Sequence, residues 1–281
     1  MSYDYTMWNV ACSDRVATVT INNPPINLGT IALYEEFYDL AKELSEDPDL
    51  SVVVLKSDNP DFFLAHVDIS YLLTFPTDVT PEKSSELTEW HAACLRLRNM
   101  NKVTIAQIEG RAGGGGCELA SCCDMRFGVL DKTVLCQMEV PLGIIPGSCG
   151  TQTLPKIVGR NRAFEMIMGG EDIDAATAER WGYLNRAFDK DAIGPYVEKL
   201  AKRIASFSPL AVQLAKQSLN TAEPIANDGF LEEAYLMVRA LQTDEAQNLM
   251  QRFIECDGQS REQELRMGAL CGEINEPSGA S

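Results

Sequence analysis

Four consecutive glycines, Gly113-Gly114-Gly115-Gly116, separate an apolar segment, Val103 to Ile108, from a helix-like segment, Cys117 to Cys123. Each glycine gives up about 0.5–1 kcal/mol of backbone order relative to alanine. A run of four therefore points to a backbone that turns tightly or approaches another group closely. At a helix start the free N–H groups and the positive dipole end favour an anion. The same groups stabilise negative charge that develops on a carbonyl oxygen during reaction. A carboxylate, Glu118, follows directly. The plainer alternative is a flexible linker, but a linker rarely joins a buried-looking strand to Leu119-Ala120.

The run Gly-Gly-Gly-Cys-Glu-Leu-Ala, followed by Cys123-Asp124, resembles the signature of the crotonase (enoyl-CoA hydratase/isomerase) superfamily. Further matches follow in order. Val16 to Asn22 and Pro25-Ile26-Asn27 resemble the family's first strand and corner. Val52 to Leu55 and Phe63-Leu64-Ala65-His66-Val67-Asp68-Ile69 resemble its next strand and loop. Gln137 to Gly147 and Gly150-Thr151-Gln152 resemble its second active-site stretch. Together these cover roughly residues 14 to 255.

The 281 residues fit one large domain or two small ones and can bury a real core. With 45% hydrophobic and 23% charged residues the composition is that of a soluble globular protein. No apolar run reaches the length needed to span a bilayer. The N-terminal residues lack the pattern of a secretory or organelle presequence, so the expected location is cytoplasmic. Nine cysteines without a secretory signal read as free thiols, and His66 and His91 lack metal-ligand spacing, so no metal site is expected. A formal net charge of −17 argues against nucleic acid or an anionic membrane as partner.

In the first half, strand-like segments (16–21, 52–55, 103–108, 126–129) alternate with helix-like ones, among them 31–44. This implies an α/β fold with largely parallel pairing. The second half reads as helices over 163–168, 175–181, 193–206, 209–221, 229–241 and 244–256. Residues after Asp257 turn polar, and 276–281 are expected to be a disordered tail. The resemblance implies a crotonase-like spiral of ββα units over 1–205. It also implies a C-terminal helical region, 206–281, that assembles the chain into a trimer or a hexamer.

Two acids carry the expected chemistry. Adding water across a double bond conjugated to a thioester needs one group to take a proton from water and one to deliver a proton to carbon. Neighbouring, partly desolvated carboxyls can share this work because burial and like charge raise at least one pKa. Glu118 and Glu139 fall where the resembled hydratases carry their catalytic pair. The resemblance further assigns the backbone N–H groups of Val67 and Gly115 to an oxyanion hole and the amide of Gly147 to holding the catalytic water. It assigns substrate binding to Ala65, His66, Asp68 and Gly114. Coenzyme A enters as part of an acyl-CoA substrate, and no cofactor is tightly bound. The acyl pocket is expected along 72–100, with Phe75, Leu87, Trp90, His91 and Cys94 on one helix face; residues in such a pattern are more often plain core.

The sequence departs from the family pattern at several places. His66 stands where a glycine is common. It reads either as an added acid–base group at the mouth of the site or, preferred here, as a side chain turned to solvent or to a subunit contact. Ser70 replaces a common lysine, and Cys256-Asp257-Gly258-Gln259 replaces a basic stretch. Lys56, Arg111 and Arg252 are candidates to compensate. Cys149 replaces a glycine and has no evident base beside it. The leading expectation is a hydratase-like lyase acting on a 2-enoyl or 3-hydroxyacyl thioester. The alternatives are an isomerase, thioester hydrolase or C–C bond-cleaving enzyme of the same fold, or a non-catalytic binding subunit.

Overall fold

The computed structural model describes residues 3–276. The strands are β1 (Trp8–Ser13), β2 (Val16–Ile21), β3 (Val52–Ser57), β4 (Phe62–Leu64), β5 (Val103–Ile108), β6 (Arg111–Gly113), β7 (Met125–Val129), β8 (Val134–Cys136), β9 (Ile173–Asp174) and β10 (Arg186–Phe188). The helices of the first half are α1 (Ile31–Glu46), α2 (Ile69–Leu72), α3 (Glu89–Asn99) and α4 (Gly115–Ser121). Those that follow are α5 (Gly150–Ile157), α6 (Arg160–Gly169), α7 (Ala175–Trp181), α8 (Lys190–Ala205), α9 (Pro209–Ala222), α10 (Asn227–Leu241), α11 (Asp244–Glu255), α12 (Arg261–Glu264) and α13 (Met267–Glu273).

The strands form two sheets, one ordered β1-β2-β3-β5-β7-β10 and a smaller one ordered β4-β6-β8-β9. Successive strand pairs (β3 and β4, β5 and β6, β7 and β8) place one member in each sheet before the chain enters helix, which is the repeating ββα spiral. Pairing is parallel from β2 to β10 in the larger sheet, with Val16 opposite Val52 and Val52 opposite Val103. Only β1 and β9 run antiparallel to their neighbours. In β3 the side chains alternate between two buried faces. Val53 and Leu55 join Phe37, Leu40 and Leu97 of α1 and α3, whereas Val52 and Val54 meet Ile193 and Val197 of α8. A strand covered on both sides reads as a continuous apolar run, as 52–55 does.

The strands 16–21 and 103–108 have the expected bounds, and the helices fall within a few residues of expectation. The short strands of the smaller sheet carry too few residues for periodicity to reveal them. The polar reading of residues after Asp257 is corrected. Met267, Leu270, Cys271 and Ile274 of α13 and the residue after it repeat at helical spacing and are buried. They pack with Met250 and Phe253 of α11 against Leu72, Met138 and Leu142. From residue 277 on, the expected tail lies outside the described residues. Among the described residues, no helix is long and apolar enough to cross a membrane.

Candidate active site

The smaller sheet positions the site. Its neighbouring strands β4, β6 and β8 are parallel, with Phe62 opposite Arg111, Leu64 opposite Ala112 after a one-residue irregularity in β4, and Arg111 opposite Val134. Their C-terminal ends therefore release three chain segments side by side. One carries Ala65 to Asp68, the second Gly114 to Glu118, and the third Gln137 to Glu139. Residues distant in sequence meet because their strands are adjacent.

The glycines between β6 and α4 are required by space and by backbone conformation. Gly114 has φ 41° and ψ −118°, a region that side-chain-bearing residues rarely adopt, and a Cβ there would lie 2.6 Å from Glu139 Oε1. A Cβ on Gly116 would run into the Leu64 carbonyl of β4. The pairing of Gly29 with Val67 uses Gly29 N–H to the His66 carbonyl at 2.7 Å and Asp68 N–H to the Gly29 carbonyl at 3.0 Å. It leaves the Val67 N–H without a partner among the described residues. Gly115 begins α4, where an N–H has no intrahelical acceptor. Val67 N lies 3.9 Å from the point where a Gly115 Cβ would sit, so the two uncommitted amides stand together.

Both glutamates are buried, Glu118 at 1% and Glu139 at 7% exposure. Glu118 Oε1 accepts the N–H groups of Ser148 at 2.9 Å and Gly150 at 2.7 Å, which ties α4 to the start of α5. Burial first, then the carboxylates of Glu139 and Glu233, push its pKa well above the ordinary range, against those two donors. Glu139 Oε2 is buried with no hydrogen-bond partner among the described residues. Burial pushes the Glu139 pKa up to about 7; Glu233 adds to the rise, while its own backbone N–H and the His66 charge oppose it. Two neighbouring carboxyls are thus harder to ionise than ordinary ones, which suits them to exchange a proton near neutral pH.

The solvent-facing reading of His66 is corrected. The side chain is 1% exposed, with Nδ1 2.6 Å from the Val67 carbonyl and Nε2 2.6 Å from Glu264 Oε1 of α12. A carbonyl only accepts, so Nδ1 donates, and the pair with Glu264 carries one further proton between its members. Burial lowers the His66 pKa, but the charge and hydrogen bond of Glu264 outweigh it and the net shift is upward. Both ring nitrogens are committed, so His66 offers a ligand its charge rather than a free nitrogen.

Other expected contacts are also spent internally. Asp68 caps α2 by accepting from Ser70 N at 2.9 Å, and Ala65 N donates to the Asn27 carbonyl at 3.1 Å. Arg111 is no substitute for missing basic groups, since it pairs with Asp172 at 2.5 Å and donates to the Leu265 carbonyl. A Cβ on Gly147 would come within 2.7 Å of Met237 on α10, so the C-terminal helices close over this loop. In the stretch 72–100 His91 is no pocket residue. It is buried, bonded to Thr88 Oγ1 and, through Nε2, to Glu233 at 3.0 Å.

Glu233 of α10 escaped the sequence reading. It is 1% exposed and accepts from Cys149 N at 2.7 Å and Thr151 N at 2.9 Å, so it and Glu118 hold alternate amides of the same loop. Nothing local marks it; its helix reads as an ordinary amphipathic segment. All nine cysteines are free. Cys94, Cys122 and Cys149 bring their sulfurs within 4.8 Å of one another and are the one donor cluster of metal-binding dimensions among the described residues. Burial raises the Cys94 and Cys149 pKa values well above the usual thiol range. Cys122 moves the other way: hydrogen bonds from Cys149 and Cys94 hold its pKa well below the usual thiol range, against burial, so the three sulfurs form one hydrogen-bonded cluster in the core.

Residues 12–262 match the family model for enoyl-CoA hydratase/isomerase. The chain is 33% identical over 259 residues to "Probable enoyl-CoA hydratase echA8" of Mycobacterium leprae (strain TN), covering 91% of this chain and 96% of that one. It is 31% identical over 255 residues to the 2,3-dehydroadipyl-CoA hydratase of Escherichia coli (strain K12), covering 88% and 94%. A crystal structure from Streptomyces avermitilis superposes with a TM-score of 0.86 at 30% identity, over 96% of this chain and 99% of that one.

Proposed function

Since this chain belongs to the enoyl-CoA hydratase/isomerase family, we propose that it adds water to a 2-enoyl-CoA, or removes it from the corresponding 3-hydroxyacyl-CoA. One observation carries this reading: two buried carboxyls with raised pKa values, Glu118 and Glu139, lie beside a pair of uncommitted backbone amides, those of Val67 and Gly115. The thioester oxygen takes the two amides. Water held between the carboxyls loses a proton to one and attacks the β-carbon, and the electron pair moves to the thioester oxygen as an enolate. The other carboxyl protonates the α-carbon and the enolate collapses. The amides bind the enolate oxygen more strongly than the neutral carbonyl, so they lower the barrier rather than merely hold substrate. The Gly147 amide, next to the Ser148 and Gly150 amides that hold Glu118, is in reach of that water.

Retention of both acids favours water addition over a double-bond shift, for which a single acid suffices. Incubation with short 2-enoyl-CoA and 3-enoyl-CoA thioesters separates the readings. Loss of the conjugated enone absorbance with formation of the 3-hydroxyacyl product is expected. Conversion of the 3-enoyl to the 2-enoyl thioester without hydration would replace the reading by an isomerase. Hydrolysis to free coenzyme A would replace it by a thioesterase.

We also infer a trimer or a hexamer. α9 buries only Lys216 and leaves Leu210 61%, Leu214 52% and Leu219 71% exposed, with Phe207 before it and Phe164 and Met168 of α6 also open. A monomer rarely exposes so much apolar surface without a partner. Light scattering at micromolar concentration is expected to report three or six times the 30.9 kDa of one chain. A monodisperse monomer overturns this.

A further inference from the structure

Tyr34 is the polar side chain at the site that no assignment above uses. It lies in the first turn of α1, which Thr30 caps by accepting from Leu33 N. Its ring packs edge-on against Trp90 of α3, with centroids 4.5 Å apart and planes at 61°. That contact sends the phenol across Gly29. A Cβ on Gly29 would run into the Tyr34 hydroxyl and come within 2.6 Å of Cζ. Gly29 is therefore a glycine for room, and any side chain there would turn the ring out of its place.

Beyond Gly29 the Tyr34 hydroxyl reaches 3.1 Å from the point where a Gly115 Cβ would sit, the same point that Val67 N approaches at 3.9 Å. The Tyr34 hydroxyl oxygen and the amide nitrogens of Val67 and Gly115 thus border one small volume. The hydroxyl makes no hydrogen bond to any described residue, and the ring contact with Trp90 leaves it free to donate. Burial, followed by the charges of Glu118 and, more weakly, of Tyr38 and Glu139, raises its pKa well above the usual phenol value. At neutral pH it is a donor that keeps its proton.

We propose that Tyr34 is a further catalytic residue, whose hydroxyl is a third donor to the thioester oxygen as that oxygen becomes an enolate. The proposal rests on the hydration reading given above. No proton changes hands: the hydroxyl shortens its hydrogen bond as charge grows on the oxygen, and lengthens it when the enolate is protonated at carbon. A donor to a developing charge is worth more in the transition state than in the ground state, so its loss appears in kcat rather than KM.

Tyr34→Phe keeps the ring on Trp90 and removes only the donor. With a short 2-enoyl-CoA, kcat is expected to fall about 10²-fold, the scale of a lost oxyanion donor, with KM within about 3-fold and the melting temperature unchanged. Unchanged kcat and KM would reduce Tyr34 to a packing ring and overturn the proposal. A raised KM at unchanged kcat would make it an acyl-recognition group, and a displaced pH–rate limb at an unchanged plateau would make it a partner of the glutamates; either result overturns it. A second readout needs no turnover. The carbonyl stretch of the 2-enoyl-CoA bound to Glu139→Gln is expected to rise when Tyr34→Phe is added, because one hydrogen bond to the oxygen is gone. An enzyme that hydrates no thioester yet shows this shift defeats the hydratase reading alone. An active enzyme with no shift defeats the role of Tyr34 alone.

Discussion

Glu139→Gln is expected to lower hydration of a 2-enoyl-CoA by about 10²–10⁴-fold, the usual range for a general acid–base group, with the fold intact. The amide has the shape of the acid but cannot take or give the proton. Glu118→Gln should lose as much, while its amide oxygen can still receive the N–H groups of Ser148 and Gly150. The pH dependence identifies the base. With a pKa pushed up to about 7 by burial, Glu139 is mostly protonated under mildly acidic conditions and ionises as the pH rises. The wild-type kcat/KM should therefore climb between about pH 6 and 8, and Glu139→Gln should lack that limb. Near-wild-type hydration by either variant would falsify the paired-carboxylate mechanism, and a requirement for Glu118 alone would favour isomerisation.

Glu264→Ala is expected to cost about 3–5 kcal/mol of stability, because it strips the partner from a buried ion pair. His66 and Glu264 side chains are 2% and 4% exposed, so water cannot replace the lost contact cheaply. Urea unfolding of both proteins measures the difference. Its pH dependence has a defined sign. The folded-state pKa of His66 is raised above 6.5, so the pair's contribution is complete below about pH 6.5. It is lost as pH rises through the folded-state value. The gap between wild type and Glu264→Ala should narrow above neutrality. A variant as stable as wild type, or a gap that widens with pH, contradicts the ion pair.

The same pair explains why His66 resisted a reading from the chain alone. A lone histidine in a loop is most simply solvated, and its partner lies 198 positions later in a stretch whose composition suggests a polar tail. The apolar spacing of Met267, Leu270, Cys271 and Ile274 was present in the sequence, but only burial against Met138 and Leu142 gives it meaning. His91 repeats the lesson, since its carboxylate, Glu233, comes from α10. In both cases a C-terminal helix supplies the hydrogen-bonding carboxylate for a histidine of the N-terminal half.

The glycine run, the apolar strands 16–21 and 103–108 and the helical periodicities were legible because each is written in consecutive residues. Backbone conformation and alternation are local, and local physics suffices to read them. The candidate glutamates were legible because the motifs around them carry the family resemblance. What only the tertiary structure decided is which groups face one another. Adjacent strands β4, β6 and β8 bring Val67, Gly115 and Glu139 together, and the missing side chain of Gly29 lets the Tyr34 phenol reach the same point. Burial then raises the pKa values of Glu118 and Glu139, and at His66 the Glu264 carboxylate outweighs it. Desolvation and charge–charge energies depend on neighbours in space, and the sequence specifies those neighbours only through the fold.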